Sequence, residues 1–200
     1  MSTSRIGRPV KTAGEHARTR EQLLSATRVV YCSYGFRGTT VVRIAETAGL
    51  SRGTYYKHFT NALEPVEELI DRLAQDLIRA IAAAIAPYSG SERIVAGIDA
   101  YLGWVAGLGE LAGPLYAESH DPDGPVSRRR GPLTDLLVAS VSALAVEAGY
   151  TAPDRLTVEA FFTLMEFISP RWAATDSHLD RDRARSLLLR TARTFLEPDI

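Results

Sequence analysis

Apolar residues recur every three or four positions along most of the chain, which is the spacing of one face of an α-helix. In the first segment this face runs through Leu23, Thr27, Val30, Tyr31 and Tyr34. No stretch alternates apolar and polar residues for long enough to predict a convincing strand. The pattern therefore predicts an all-α protein.

Glycine, proline and capping residues divide this pattern into helices. Gly35 and Gly38 follow the first helix, and Gly49 closes the second. Ser51 can cap the third helix, and Pro87 stops the fourth. The predicted helices cover residues 15–34, 41–48, 52–59, 61–86, 91–106, 108–119, 126–148, 154–174 and 180–196.

Charge is distributed unevenly, although the net charge of the 200 residues is only −1. Residues 1–60 carry ten Lys and Arg against three acids, or 10 − 3 = +7. The remainder carries thirteen Arg against twenty-one acids, or 13 − 21 = −8. This asymmetry predicts that the N-terminal segment binds a polyanion. Chance clustering on a solvated surface is the alternative.

The remaining composition predicts a globular protein of the reducing cytoplasm. Hydrophobic residues make up 46% of the chain, which is enough to build a core. The longest apolar run, residues 78–86, is too short for a bilayer, and the polar N-terminus lacks an apolar signal core. The single cysteine, Cys32, cannot form an internal disulfide, and we expect it to fill the core.

The stretch TTVVRIAETAGLSRGTYYKHF, residues 39–59, predicts a helix-turn-helix. Ile44, Ala45 and Ala48 give its first helix an apolar inner face, on which Ala45 lets the two backbones approach. Gly49 permits the left-handed conformation that ends this helix, and Leu50 fills the corner. The second helix is then free to enter a DNA major groove.

The motif GFRGTTVVRIAETAGLSRGTYYKHF, residues 35–59, resembles the tetracycline-repressor-like (TetR) family of bacterial regulators. The resemblance covers about the first quarter of the chain, and beyond it only the helical layout is similar. It implies a three-helix DNA-binding domain over residues 15–60 and an effector-binding and dimerisation domain over 61–200. The implied function is a ligand-responsive transcriptional regulator, a repressor without cofactor or membrane partner.

The resemblance also implies which residues contact DNA. Thr39 and Thr40 stand at a helix start, where hydroxyl and N–H groups can hold a phosphate. Arg52, Gly53 and Thr54 open the recognition helix, where an arginine can pair with guanine. Tyr55 is expected to be partly core, with Phe59 as an anchor. The complete predicted set in this domain is Thr39, Thr40, Arg43, Ser51, Arg52, Gly53, Thr54, Tyr56, Lys57 and His58.

One departure from the family pattern affects an expected phosphate contact. Ala62 stands where the family usually has a lysine that contacts phosphate at the start of the fourth helix. Asn61 and Glu64 are spaced to form a capping pair, and Pro65 lies in the first turn. The N–H groups of this helix start remain candidates for a phosphate.

A second basic element, residues 1–14, precedes the domain. Arg5, Arg8 and Lys11 flank Pro9, which keeps the backbone extended. Arginines on a thin arm suit a narrow A·T-rich minor groove. A tail with incidental charges is the alternative.

A single helix-turn-helix reads only a few base pairs, so a homodimer on a palindromic operator is expected. The last two predicted helices carry the candidate dimer stripes, unless both stripes are buried within one chain. They are Phe161, Leu164, Met165, Ile168 and Trp172 on one helix and Ala184, Leu187, Leu188, Ala192 and Phe195 on the other.

The resemblance implies an effector cavity among the middle helices. Candidate lining residues are Tyr101, Trp104, Tyr116, Phe162 and Phe167, although aromatic residues at helical spacing also form plain core. Few charges lie among them, which favours an apolar or aromatic effector over a highly charged one.

Other classes of function have weaker support. The four histidines are scattered, and the chain has neither a glycine-rich phosphate loop nor a nucleophile elbow, so no catalytic or metal residues are predicted. Glu118, His120, Asp121 and Asp123 could hold a metal but are more typical of a polar loop. The basic domain could instead bind another protein rather than DNA. Elution of the purified protein from heparin only at raised salt would favour DNA binding over that role.

Overall fold

The computed structural model describes residues 13–119, 121–173 and 180–196. Helices and short connections make up these residues, and no strand occurs among them. The helices are α1 (Ala13–Gly38), α2 (Val41–Thr47), α3 (Arg52–Tyr55), α4 (Leu63–Ile85), α5 (Ser91–Leu108), α6 (Ala112–Ser119), α7 (Pro125–Glu147), α8 (Arg155–Ala173) and α9 (Arg181–Leu196). The prediction of an all-α chain is confirmed.

Most helix ends agree with the sequence-based bounds, and the exceptions have local causes. Gly35 interrupts α1 with a φ of 63°, so the regular helix ends at the predicted Tyr34. α3 is shorter than predicted, because residues 56–58 continue as hydrogen-bonded turns. A 3₁₀ turn, Gly109–Leu111, joins α5 to α6 at a positive φ of 57° for Gly109.

The chain divides into two compact units, Met1–Val66 and Glu67–Ile200. In the first unit, α1, α2 and α3 pack around one apolar core. Leu23, Val30, Ile44, Tyr55 and Phe59 are almost completely buried there. The boundary follows Val66, six residues after the change in charge, because Pro65 and Val66 are themselves buried.

The core of the second unit lies where α8 and α9 pack against α5. Its buried side chains include Ile98 and Leu102 from α5, Met165 and Ile168 from α8, and Leu188 from α9. Asp99 of α5 and Arg185 of α9 form a two-point ion pair beside this core, one of whose contacts measures 2.8 Å.

The stretch Ser91–Ser119 is long and apolar enough to cross a membrane by length and composition alone. In the structure it is α5, the 3₁₀ turn and α6, with Ile98, Leu102 and Val105 buried in the protein. Packing within the second unit therefore buries part of this stretch.

Candidate nucleic-acid interface and ligand cavity

The turn between α2 and α3 is fixed by backbone hydrogen bonds. Leu50 donates its N–H to the Ala45 carbonyl, and Gly49 donates to the Glu46 carbonyl, each at 2.9 Å. Gly49 has a φ of 65°, the left-handed conformation that this helix ending requires. The side-chain amide of Gln22 donates to the Ala48 carbonyl at 2.7 Å. The predicted role of Gly49 is confirmed, and α1 supplies an additional cap that the sequence did not reveal.

Ser51 sets the start of α3. Its hydroxyl oxygen accepts the Thr54 N–H at 3.1 Å and lies 3.0 Å from the Thr54 hydroxyl oxygen. The Ser51 and Thr54 side chains thus bond to each other, which holds the first turn of the helix.

Arg20 of α1 holds the far end of this segment. Its guanidinium donates to the His58 carbonyl at 2.8 Å and lies 4.3 Å from the centroid of the Phe59 ring. Tyr55 is fully buried, and its hydroxyl donates to the Asn61 carbonyl at 2.8 Å. Burial raises the pKa of Tyr55, so the hydroxyl stays protonated. Arg20 therefore stabilises the domain, although the sequence showed it only as one basic residue among ten.

The predicted contact residues lie on α3 and the turns that follow it, residues 52–59, which we call the α3 segment. They lie on the surface of this segment that faces away from the core. Arg52, Gly53, Tyr56 and Lys57 are exposed, while His58 is half-buried. A Cβ atom at Gly53 would meet nothing closer than the Ser51 hydroxyl oxygen at 3.8 Å. The first unit therefore has room for a side chain at Gly53 and does not itself need glycine there.

The two threonines predicted to bind phosphate, Thr39 and Thr40, have different environments at the start of α2. Thr40 is exposed and its hydroxyl oxygen accepts the Arg43 N–H at 3.3 Å, as an N-cap does. Thr39 is only 7% exposed, and its hydroxyl donates inward to the Gly35 carbonyl at 2.8 Å. Thr39 thus belongs to the interior, which corrects the expectation that both hydroxyls face a phosphate.

Arg43 lies on the outer side of α2 in a defined contact. Its guanidinium donates to the Gly38 carbonyl at 2.6 Å and stacks 4.3 Å from the centroid of the Tyr34 ring. Tyr34 is 56% exposed, whereas the sequence pattern placed it on the apolar face of α1. Gly38 has no room for a side chain, because a Cβ atom would lie 2.6 Å from Tyr34 Cβ.

The start of α4 is closed by its own residues. The Asn61 side-chain oxygen accepts the N–H groups of Leu63 and Glu64 at 2.9 and 3.0 Å. The Glu64 carboxylate accepts the Thr60 N–H at 2.6 Å, and it places a negative charge at this helix end. The predicted capping pair is therefore present, with the Glu64 carboxylate bonded to the N–H of Thr60 and not to that of Asn61. Phosphate binding by these N–H groups is not supported.

Arg5, Arg8 and Lys11 of the N-terminal arm lie outside the described residues. The interface that the structure describes is therefore the Thr40 and Arg43 corner together with the α3 segment. It presents cations and hydroxyl groups on a short helix, which is the chemistry that binds phosphates and base edges in a groove.

The second unit contains a cavity of about 810 Å³. Its lining is mostly aliphatic and comes from all six helices of this unit, α4 to α9. Of the predicted effector residues, Tyr101, Trp104, Tyr116 and Phe162 lie in the lining.

Phe167 does not line the cavity, which corrects that prediction. It is 48% exposed, and the Arg171 guanidinium carbon lies 3.4 Å from its ring centroid. The cause is helical phase, since residues 162 and 167 lie on different faces of α8.

The sequence pattern indicated Tyr101 but not three polar residues of the lining near it, Ser169, Arg130 and Glu166. Tyr101 and Ser169 have their hydroxyl oxygens 3.2 Å apart. Arg130 of α7 pairs with Glu166 of α8 at 2.7 Å. These residues come from three helices, and amphipathic patterning within one helix carries no signal for such a cluster.

The predicted dimer stripes are largely internal. Met165, Ile168, Ala184, Leu188 and Ala192 are each at most 5% exposed and pack in the core with α5. They contact residues of the same chain, which corrects their assignment to a subunit interface. Phe161, Leu164, Leu187 and Phe195 are partly buried, and the Trp172 side chain lies outside the described residues.

No group of three or more His, Cys, Asp and Glu residues with metal-binding geometry occurs among the described residues. The proposed cluster includes His120, which lies outside them. Cys32 is half-buried rather than fully buried.

The geometry of α2, the tight turn and α3 defines a helix-turn-helix protein. Residues 23–62 match the family model described as bacterial regulatory proteins, tetR family. This segment therefore carries the DNA-binding domain of that family, and relatives of it are named as HTH-type transcriptional regulators and repressors.

Two relatives are similar in sequence to about a third of the chain. The chain is 40% identical over 63 residues to the HTH-type transcriptional regulator TtgR of Pseudomonas putida, covering 32% of this chain and 30% of that one. It is 37% identical over 62 residues to the HTH-type transcriptional repressor BepR of Brucella suis, covering 31% and 30%. The aligned segment thus spans less than a third of either relative.

The similarity of fold extends over nearly the whole chain. The transcriptional regulator FadR of Bacillus subtilis, solved in complex with stearoyl-CoA, superimposes with a TM-score of 0.70 at 18% identity. The match covers 90% of this chain and 99% of that one.

Proposed function

We propose that the protein is a cytoplasmic transcriptional repressor that binds a palindromic operator as a homodimer and releases it when a small apolar or aromatic molecule fills the cavity. The observation that carries the proposal is the exposed surface of α3. Arg52, Gly53, Tyr56 and Lys57 project from a turn whose backbone is fixed by Gly49 and Ser51.

Each exposed residue has a distinct role. Arg52 reads a guanine, and the Thr54 methyl group suits a thymine methyl. Gly53 allows the DNA to approach the helix backbone closely. Tyr56, Lys57 and Thr40 bind phosphates, with Arg43 at the same edge of the domain. His58 contributes less, because it is half-buried beside the His16 ring at 5.2 Å.

We propose that the dimer surface lies on the face of α8 that remains exposed. Leu156, Ala160, Thr163 and Phe167 are exposed at spacings of four, three and four residues, which places them on one face. Leu156 is 74% exposed, more than any other large hydrophobic residue among those that the structure describes. Leu156→Asp should yield monomers in sedimentation analysis, while Tyr88→Asp, at another exposed apolar residue, should leave the dimer intact.

Release of DNA would proceed through α4. Ile70, Leu73 and Leu77 of this helix line the cavity, and the helix begins next to the DNA-binding residues in sequence. Ligand binding would favour a conformation in which the two recognition helices no longer fit grooves about 34–36 Å apart. A loss of affinity of about 100-fold requires only about 2.7 kcal/mol of coupling.

The test is selection of genomic fragments with the purified protein, followed by footprinting on the selected operator. Binding should weaken steeply with salt, since several phosphates per subunit are contacted. Arg52→Ala should relax the preference at one base pair by about 1–3 kcal/mol. Tyr56→Phe should weaken binding to all sequences alike. Indifference to DNA of any sequence at low salt would overturn the proposal.

A further inference from the structure

The cavity of the second unit is elongated along α5. On this helix its lining extends from Arg93 to Leu108, or 108 − 93 = 15 residues, which corresponds to about 22 Å at the rise of an α-helix. The lining residues of α5 between them carry no charge: Ile94, Gly97, Ile98, Tyr101, Trp104 and Val105. Arg93 therefore places a charge at one end of a long apolar and aromatic wall.

Positive charge exceeds negative charge in the lining that the structure describes. This lining contains four arginines and three carboxylates, or 4 − 3 = +1. Three of the arginines pair with a carboxylate that also lines the cavity. The pairs are Arg129 with Asp71 at 2.6 Å, Arg130 with Glu166 at 2.7 Å, and Arg155 with Glu159 at 2.6 Å.

Arg93 is the arginine of this lining whose partner lies outside it. It pairs with Glu147, which is not a lining residue and whose side chain is 47% exposed. By contrast, Arg129 and Arg155 each have a second carboxylate in addition to the one in the lining. Arg93 is therefore the position at which a ligand inside the cavity meets a positive charge without a carboxylate beside it in the lining.

The guanidinium of Arg93 is occupied on one side. Its Nη1 donates to the Glu147 carboxylate at 2.5 Å. Its Nε is buried and has no hydrogen-bond partner among the described residues. A buried N–H without a partner is costly, so an acceptor placed there gains a bond that replaces no other. The edge that Nε forms with Nη2 has the geometry that holds a carboxylate through two parallel hydrogen bonds.

The hydroxyl groups of the lining are neutral, and helix carbonyls already accept from some of them. Ser140 donates to the Leu136 carbonyl at 2.8 Å, and Ser169 donates to the Met165 carbonyl at 2.5 Å. Such groups can orient a ligand, but they do not select the sign of its charge. The selection of charge is therefore assigned to Arg93.

We propose that the cavity binds an elongated amphipathic carboxylate, with its single negative charge on the Nε–Nη2 edge of Arg93 and its apolar body along α5 towards Leu108. A single charge matches the +1 of the lining, whereas the three lining carboxylates disfavour a ligand with more negative charges. This inference rests on the proposal that the cavity holds the effector, and it adds one carboxylate to the apolar molecule proposed there.

The first test compares ligands that share one alkyl chain. Binding of decanoate, 1-decanol and decylammonium to the full-length protein is followed by the change in tryptophan fluorescence, since Trp104 lines the cavity. We expect decanoate to bind more tightly than 1-decanol and at least ten-fold more tightly than decylammonium, because Arg93 makes a charge-assisted hydrogen bond with an anion. Equal or tighter binding of 1-decanol or decylammonium overturns the inference.

The role of Arg93 is tested by breaking its ion pair from each side in turn. Arg93→Gln removes the charge from the lining, so the ratio of decanoate affinity to 1-decanol affinity should fall at least ten-fold. A loss of stability alone would weaken both ligands together. Glu147→Gln breaks the same ion pair but keeps the charge of Arg93, so the ratio should stay the same or rise. An unchanged ratio in Arg93→Gln, or an equal fall in both variants, overturns the assignment of Arg93.

A parallel measurement of operator release separates this inference from the proposed function. The expected binding order without release supports the ligand class and refutes the effector role. Failure of all three decyl ligands to bind, with operator binding intact, overturns the ligand class and leaves the DNA-binding proposal standing.

Discussion

The two units of the chain present their candidate residues in opposite ways. In the first unit the residues for DNA lie outside, on a short segment whose backbone is fixed by Gly49, Ser51 and Arg20. In the second unit the residues for a ligand lie inside, around a cavity of about 810 Å³. A docking surface requires a rigid backbone, whereas a ligand site requires side chains from several helices. The first leaves a local sequence signature and the second does not.

This contrast predicts that core mutations in the two units change different signals in circular dichroism and tryptophan fluorescence. Both tryptophans, Trp104 and Trp172, belong to the second unit. Phe59→Ala should destabilise the first unit by about 3–5 kcal/mol, because it empties a fully buried site. Circular dichroism should then show early loss of helix while tryptophan fluorescence is little changed.

Leu102→Ala is the matched change in the second unit, where Leu102 is also fully buried. It should cost about 2–5 kcal/mol and shift the fluorescence transition. If either variant shifts both signals equally, the two units unfold together and the contrast between them is lost.

Arg20 tests whether the DNA-binding surface depends on support from α1. Arg20→Met keeps the aliphatic stem but removes the hydrogen bond to the His58 carbonyl, for an expected loss of about 1–3 kcal/mol in stability. Specific DNA affinity should fall with it. Arg18→Met removes the same charge from an exposed site of α1 and serves as the control. Equal stability of the two variants would show that the Arg20 contacts contribute nothing.

Gly53→Ala tests whether DNA approaches the recognition helix closely. The site is open, so the alanine should leave stability unchanged or raise it by up to about 1 kcal/mol. Operator affinity should nevertheless fall at least ten-fold in a gel-shift titration. Unchanged affinity would mean that the DNA does not contact the backbone here.

The smallest effect is expected at Asp154, which caps α8. Its carboxylate oxygens accept the Thr157 hydroxyl at 2.7 Å and the Thr157 N–H at 3.0 Å, and these hydrogen bonds lower its pKa. The stabilisation is present above the ordinary value of 3.8 and is lost as the pH falls through the lowered pKa. Asp154→Ala should thus have a slightly lower melting temperature at pH 7, with the difference vanishing in acid.

Asp154→Asn keeps a capping oxygen and removes the titration. Its stability should lie near that of the native chain at pH 7 and should not show the acid-dependent part of the difference. A difference between Asp154→Ala and the native chain that is constant with pH would show that the charge of Asp154 is not involved.

Sequence alone predicted the helices well, because their ends depend on local chemistry. Gly49, Ser51 and Asn61 each act within a few residues of their position, and each has the expected capping role. The same reasoning failed where two neighbouring residues of one type have different environments. Thr39 and Thr40 are adjacent and chemically identical, yet one is buried and the other exposed.

The predictions for α8 and α9 show a second limit. An apolar stripe predicts that a helix face is buried, but it does not name the partner. Met165 and Leu188 pack against α5 of the same chain, while Phe167, predicted to meet a ligand, is exposed beside Arg171. Only the packing of several helices decides between core, cavity and surface.

The amino-acid sequence by itself determined the all-helical fold, the helix-turn-helix and the concentration of positive charge near the N-terminus. These properties follow from residues close together in the chain. The tertiary structure decided that Arg20 supports the α3 segment. It also decided that Tyr101, Ser169, Arg130 and Glu166 meet at one cavity. Their partners are distant in sequence, so such contacts are set by the packing of whole helices.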